Sequence, residues 1–169
     1  RFRHIYLNNN FTQTYEIIAA AIEKDKEKWD EFRKMHSAEF EAMKTLYGQQ
    51  PLFSDSYEEE IDRVVYDCYP LHPASTFILP RLSERVAQNE RTLFTFISAK
   101  GDATLSSFLA QHEDDEFALA TPDLIYDYFE PLLKQEAYSG NLHKYYTLTS
   151  SILRKIDASS LEAKIVKTL

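Results

Sequence analysis

The sequence predicts an all-α fold, a multi-helix fragment whose β content is limited to a short N-terminal arm. Three observations favour helices. Apolar residues recur four positions apart, capping residues or prolines stand where helices would begin, and each of the three glycines follows a helical stretch. We therefore expect at least six helices, with Gly48, Gly101 and Gly140 near C-caps, where a positive φ favours glycine.

The N-terminal region divides into two parts. In residues 1–10, Phe2, Ile5 and Leu7 with intervening polar residues precede an Asn-rich turn, which predicts an extended arm or the remnant of a preceding core. Residues 11–66 form an N-terminal helical part, in which Ile18 and Ile22 lie four apart and interleaved Lys and Glu supply a solvated face. The acids at 58–60 suit the start of a short helix that closes this part.

Residues 67–112 form a lid-like block that is dense in helix signals. His72 stands where it would cap a helix or pack at the core edge, and Pro73 follows at the first helical position. Pro80 lies inside the same helix, where it removes one backbone hydrogen bond and predicts a kink. Asn89 is a good N-cap for the next helix.

Residues 113–169 form a C-terminal helical part that begins with an acidic loop. Thr121 followed by Pro122 is a strong helix-start signal, because a capping residue precedes a proline at the first helical position. Ser159 with Glu162 predicts a capping box for the last helix. The final apolar stripe is unfinished and the chain does not begin with Met, so we expect a truncated fragment of a larger protein.

The composition argues against several classes of function. A formal net charge of −8 predicts that the chain repels nucleic acid rather than binding it. No apolar run approaches the roughly 18 residues of a membrane span, so we expect no membrane contact. The single cysteine, Cys68, fits a reducing, cytoplasmic compartment. The scattered glycines cannot form a phosphate-binding loop, so the fragment alone is not expected to hydrolyse nucleotides.

Arg91 is the candidate for a contact with a nucleotide phosphate. If Asn89 caps the helix and Gln88 fixes the preceding turn, Arg91 lies beside free N–H groups and the positive end of the helix dipole. A guanidinium next to such N–H groups describes an anion site, for which phosphate is the usual ligand. The alternative is that Arg91 is neutralised by Glu84, by Glu90 or by a carboxylate from elsewhere in the chain.

Other polar and aromatic residues give weaker signals. Arg81 and Arg85 lie four apart on one predicted helical face, and they either extend the anion surface or are solvated or paired with acids. The five histidines lack catalytic or zinc-ligand partners, so we predict no catalytic residue and no metal site. Aromatic residues between 126 and 146 could stack on bases, but their helical spacing and the acidic background favour core packing.

Several short motifs in the 67–112 block carry a resemblance to a known family. They are Tyr69-Pro70-Leu71-His72-Pro73, Leu79-Pro80-Arg81-Leu82, Gln88-Asn89 and Arg91-Thr92-Leu93-Phe94-Thr95-Phe96, with a weaker match over residues 122–129. These motifs resemble a segment of large bacterial P-loop ATPases of the phage-defence, bacteriophage-exclusion (BREX-like) type. The resemblance implies a helical region downstream of the nucleotide-binding core, with ATP and Mg held by the parent protein. Both Walker motifs are absent, so no catalytic residue is carried over.

Two hypotheses of function follow. In the first, the chain is a non-catalytic helical region of an AAA-like P-loop ATP-binding protein and couples nucleotide state to partner domains in phage defence. Its partners are then other domains of the same polypeptide or other proteins of the defence system. In the second, the chain is a stand-alone helical protein-interaction module. A P-loop upstream in the full-length gene would favour the first hypothesis, and an Arg91 bridged within the chain would favour the second.

Overall fold

The described residues fold into helices joined by turns. The computed structural model describes residues 11–53, 58–87, 91–136 and 142–169. Within these ranges it contains ten α-helices and no β-strand, and Leu71 and Ala120 form an isolated parallel bridge. The predicted all-α class and the expectation of at least six helices are confirmed. The arm predicted at 1–10 lies outside the described residues.

Most of the helices are short. In chain order they are α1 Phe11–Ala21, α2 Lys26–Met35, α3 Ser37–Gly48, α4 Glu58–Asp62, α5 Pro73–Leu82, α6 Arg91–Ser98, α7 Leu105–Leu109, α8 Pro122–Glu136, α9 Leu142–Leu153 and α10 Leu161–Thr168. A 3₁₀ turn, Pro51–Phe53, follows α3. The start of α8 at Pro122 confirms the signal predicted there.

The helical pattern of the first part is divided into three helices. Asp25 ends the connection after α1 and is the N-cap of α2. Its backbone is extended, and its side chain accepts a hydrogen bond from the Lys28 N–H at 3.1 Å. His36 separates α2 from α3, and its backbone N–H bonds to the Phe32 carbonyl at 3.0 Å. The α2 helix has no fully buried residue, whereas α3 inserts Phe40 into the core.

Two helices widen into π-helical turns where they end. The turn Arg63–Asp67 continues α4, and the Cys68 N–H bonds to the Arg63 carbonyl five residues earlier at 3.0 Å. The turn Ser83–Ala87 continues α5, shortly after Pro80. A proline and a π turn are both causes of helix bending, and here they lie together at the end of α5.

One buried cluster joins the three helical parts of the chain. Ile18 and Phe40 come from the first part, Leu79 and Phe96 from the second, and Phe129 from the third. All five have 0% relative exposure. The three parts therefore share one core. Burying a side chain of this size stabilises the fold by roughly 1.5–3 kcal/mol.

The last helix is fastened to α8 by a small residue and an ion pair. Ala163 is fully buried, which lets α10 approach its neighbours closely. The Lys167 Nζ lies 2.7 Å from the Asp127 Oδ1, and the Lys167 side chain is largely shielded from solvent. These contacts hold the C-terminal part against the core helix α8.

The start of α10 differs from the prediction by one residue. Ser160, not Ser159, is the N-cap, and its side chain accepts the Ala163 N–H at 3.1 Å. The Ser159 N–H and hydroxyl instead bond to the Asp157 Oδ1 at 2.9 and 2.8 Å. The Asp157 side chain thus forms an Asx-turn with the backbone of Ser159. Because Ser159 is engaged in this turn, the next residue, Ser160, caps the helix.

The described glycines do not take the positive φ predicted for them. Gly48 is the last residue of α3 and Gly101 lies in the turn after α6, and neither has a positive φ. Gly140 lies outside the described residues. Among the residues that are described, the positive φ belongs to Ala103, at 54°. The Thr104 hydroxyl donates to the Gly101 carbonyl at 2.8 Å and closes this turn. The positive φ of the turn thus lies two residues after the glycine.

Candidate functional site

Arg91 is the first residue of α6, and its side chain is exposed. The other face of the helix is anchored by Leu93, Phe96 and Ile97, which are buried as their spacing predicts. A helix anchored in the core therefore presents this arginine at its N-terminal end. Residues 88–90 lie outside the described part of the chain, so the capping by Asn89 and the turn at Gln88 stay predictions.

Arg81 packs inside the chain rather than facing open solvent. Its guanidinium carbon lies 3.9 Å from the Phe11 ring centroid and 3.5 Å from that of Phe77. Its Nη1 donates to the Tyr15 hydroxyl at 2.9 Å and to the Phe77 carbonyl at 2.6 Å. Burial raises the pKa of Tyr15 above 10.0, against the opposing effect of Arg81, so the hydroxyl is neutral near pH 7. Arg81 thus fastens α1 to α5.

Arg85 differs from Arg81 although the two are four residues apart. Arg85 is exposed in the π turn Ser83–Ala87, whereas Arg81 is half-buried. The hydrogen bonds of a π turn span five residues instead of four, so the α-helical register does not continue across it. The single face predicted for the two arginines is therefore split, and Arg85 and Arg91 are the exposed members of the set.

His72 caps α5, in line with the capping role that its place before Pro73 predicts. Its Nδ1 accepts the Ala74 N–H at 3.2 Å, and its Nε2 lies 3.2 Å from the Tyr47 hydroxyl. Because Nδ1 is an acceptor, the proton of the neutral ring lies on Nε2 and is donated to Tyr47. Burial lowers the pKa of His72, which favours this neutral form.

Ala120 ties the Tyr69–Pro73 motif to the start of α8. The Ala120 N–H donates to the Pro70 carbonyl at 2.8 Å, and the His72 N–H donates to the Ala120 carbonyl at 3.1 Å. The buried Ser75 hydroxyl donates to the same carbonyl at 2.7 Å. These three bonds satisfy the backbone of a buried connection and make the motif a structural joint.

Cys68, the single cysteine, is not placed as a nucleophile. It is buried, and burial raises the pKa of its thiol to about 12, so the thiol stays protonated near pH 7. Within the described ranges, no three His, Cys, Asp or Glu side chains lie close enough together to hold a metal ion. No helix of those ranges has the length and apolar character needed to cross a membrane.

A groove of about 350 Å³ opens beside α2, α7 and the loop that follows α7. We call it the aromatic groove. Its apolar lining consists of Ile22, Trp29, Phe32, Tyr69, Pro70, Phe108, Leu109 and Ala118. A volume of this size is near the lower end for ligand-binding pockets and suits one or two large side chains.

Carboxylates predominate at the rim of the aromatic groove. The rim holds five acids and two lysines, which are Glu23, Asp25, Glu113, Asp114, Glu116, Lys24 and Lys28. The Lys28 Nζ lies 3.9 Å from the Asp114 Oδ2, but both side chains are largely exposed, so their attraction is weak. Lys24 donates to the Asp67 carbonyl, and its Nζ lies 5.0 Å from the Trp29 ring centroid. The rim therefore carries an excess of negative charge.

The floor of the aromatic groove is a packed set of rings. Trp29 and Phe32 stack with ring centroids 5.7 Å apart and an interplanar angle of 15°. Tyr69 packs against both at a tilt, with its ring centroid 5.5 Å from that of Trp29 and 5.2 Å from that of Phe32. Since aromatic pairs at such distances attract one another beyond their buried area, the floor is fixed before any ligand arrives.

The acidic loop is fastened to this floor from behind. The Tyr69 hydroxyl donates to the Glu116 carbonyl at 3.4 Å and accepts the Ala118 N–H at 3.2 Å. Burial raises the pKa of Tyr69 to about 12, so it keeps the proton that it donates. The His36 Nε2 donates to the Asp115 carbonyl at 2.9 Å. These bonds set the position of the rim relative to the rings.

Sequence reasoning did not bring the aromatic groove together. It read the start of residues 113–169 as an acidic loop and assigned Trp29 and Phe32 only to the N-terminal helical part, residues 11–66. One signal was present in the sequence, because these two large rings stand in the segment Lys26–Met35, whose other residues are all charged except Met35. The pairing of α2 with a loop some 80 positions later is a tertiary contact, which no local pattern reveals.

Comparisons with known proteins do not assign the chain to a family. No protein-family model matches it, and neither does a curated protein or a solved structure. The likeness to P-loop ATPases therefore depends on the short motifs of the 67–112 block and of residues 122–129 alone.

Proposed function

We propose that the chain is a non-catalytic helical module of a cytoplasmic, AAA-like P-loop ATPase of the phage-defence type, and that it couples nucleotide state to partner domains. The observation that carries the proposal is the exposed Arg91 at the first residue of α6, within a motif that resembles those ATPases. ATP and Mg are held by the nucleotide-binding core of the parent protein. The partners are other domains of the same polypeptide or other proteins of the defence system.

The position of Arg91 favours an anionic ligand. A cation at the positive end of a helix dipole costs about 0.3–1 kcal/mol unless an anion joins it. Phosphate oxygens can accept hydrogen bonds from the first-turn N–H groups and from the guanidinium together. Arg85, exposed in the π turn before α6, adds positive charge to the same block.

Contacts between α6 and α8 supply a route from Arg91 to the rest of the chain. The Tyr128 hydroxyl donates to the Thr92 carbonyl at 3.3 Å, next to Arg91. The Tyr128 ring meets Phe96 edge-on, with centroids 5.2 Å apart. A displacement of the first turn of α6 would therefore shift α8, and α8 would in turn shift the C-terminal helices.

Arg91→Ala in the full-length protein tests this proposal. We expect ATPase activity to fall about 10- to 150-fold, because a charge-assisted contact to phosphate contributes roughly 1.5–3 kcal/mol. Stability should change by no more than about 0.5 kcal/mol, since the side chain is exposed. Lys100→Ala is the matched control, an exposed lysine beyond the other end of α6. Unchanged ATPase activity together with a lower unfolding temperature would contradict the coupling role.

A second candidate function, a stand-alone protein-interaction module, is favoured by exposed apolar rows on the last two helices. On α9, Tyr145, Leu148 and Ile152 follow the spacing of one helical face and are all exposed. On α10, Leu161 and Ile165 lie four apart and are also exposed. Apolar rows of this kind commonly mark contact surfaces. A full-length gene without a P-loop would decide for this candidate.

A further inference from the structure

We propose that the aromatic groove binds a short basic peptide segment of a partner protein, in which an aromatic or large aliphatic side chain is flanked by lysine or arginine. The apolar side chain of the peptide lies on the rings of the floor, and its cations face the carboxylates of the rim. This inference is independent of the ATPase proposal, because the groove is formed by α2 and α7 rather than by α5 and α6.

The floor selects an apolar side chain. Trp29, Phe32 and Phe108 are half-buried, so each ring keeps a part that solvent reaches, and Leu109 is 49% exposed. A side chain inserted among them would remove apolar surface from water on both partners. The volume of about 350 Å³ accommodates such an anchor but not a folded domain.

The rim selects the charge of the flanking residues. Asp25 is engaged as the N-cap of α2, and the Glu116 side chain accepts the Glu113 N–H at 3.3 Å. The carboxylates of Glu113 and Asp114 are exposed beside the opening. Lysine or arginine in the peptide complements this excess of acids, whereas acidic peptides and nucleic acid phosphates are repelled.

The groove is formed in advance, which favours the binding of a short segment. The stacked rings and the bonds from Tyr69 and His36 already hold the floor and the loop in place. Binding therefore costs little conformational entropy in the protein, and a peptide with few contacts can still be retained.

Trp29 is the only tryptophan of the chain, so its fluorescence reports on the aromatic groove directly. The probe is the capped peptide Gly-Lys-Phe-Arg-Gly, which has no tryptophan or tyrosine. Matched controls are Gly-Glu-Phe-Glu-Gly and Gly-Lys-Ser-Arg-Gly. We expect a saturable fluorescence change with the first peptide, at least about tenfold weaker binding of either control, and weakening as salt rises.

Two variants separate the rim from general charge effects. Glu113→Lys combined with Asp114→Lys should weaken binding of the basic peptide at least about tenfold, because it reverses the charge beside the opening. Glu31→Lys combined with Asp102→Lys makes the same change in net charge at exposed positions outside the groove. This control should bind the peptide nearly as the natural chain does.

A further pair of variants examines the floor. Leu109→Ser removes an exposed apolar side chain of the groove and should weaken binding about three- to tenfold. Leu148→Ser is the control and should have no effect, because Leu148 is also exposed but lies on α9. Because both leucines are exposed, neither change is expected to unfold the chain.

The proposal fails under any of three results. The first is a response to the acidic peptide equal to that of the basic one. The second is an equal loss of binding in the two double charge-reversal variants. The third is the absence of saturable binding of the basic peptide up to millimolar concentration. This result contradicts the proposal even if a small apolar probe such as toluene does bind in the groove.

Discussion

Two regions of the molecule place aromatic rings beside charges, and one is closed while the other is open. Around Arg81 the chain supplies both the cation and the rings of Phe11 and Phe77, and the set packs between α1 and α5. In the aromatic groove the chain supplies the rings together with more acids than lysines. Rings beside a cation thus close the first region, whereas rings beside an excess of acids leave an open groove in the second.

The closed region is broken most strongly by Arg81→Ala. We predict a loss of about 2–3 kcal/mol in the free energy of unfolding, because the variant removes charge-assisted hydrogen bonds and two ring contacts. Arg85→Ala, a change of the same kind at an exposed position, should stay within about 0.5 kcal/mol. Urea unfolding monitored by circular dichroism measures both variants. Equal losses in the two would show that the packing around Arg81 contributes nothing specific.

Much of the fold followed from local signals in the sequence. The cap at His72, the first-turn prolines at 73 and 122, and the buried face of α6 are where the sequence places them. These features depend on residues a few positions apart, and their physics is local. The prediction of an all-α protein is therefore confirmed by independent elements.

The misplacements have physical causes that reach beyond local signals. The positive φ lies at Ala103 because the Thr104 side chain closes that turn, and the cap of α10 lies at Ser160 because Asp157 organises the residue before it. The exposure of Arg81 was misjudged because its partner rings and hydroxyl stand partly on α1, more than 60 positions earlier. The aromatic groove was missed for the same reason, since its floor and rim meet through tertiary contacts.

His72, the N-cap of α5, offers a second test of a closed part of the molecule, because its contribution to stability depends on pH. Burial lowers the folded-state pKa of His72 below 6.5, so the unfolded chain takes up the proton more readily. The stability that the neutral ring contributes is complete above about pH 6.5 and is lost as the pH falls from there toward the folded-state pKa. In His72→Asn, which keeps a capping oxygen but does not titrate, this loss should be absent.

The measurement for His72 is the free energy of unfolding of both chains between about pH 7.5 and 5.5, before most carboxylates titrate. We predict that the advantage of the natural chain over His72→Asn shrinks as the pH is lowered. A difference that stays constant across this range would contradict a buried, neutral imidazole at the cap.

The most direct test of an open groove with an acidic rim is collisional quenching of Trp29 by caesium and by iodide. At low ionic strength the rim attracts the cation and repels the anion. We predict that the ratio of caesium to iodide quenching exceeds that of free N-acetyltryptophanamide by about twofold, and that Glu113→Lys with Asp114→Lys removes the excess. A ratio equal to that of the free compound, or one unchanged by the two substitutions, would contradict the account.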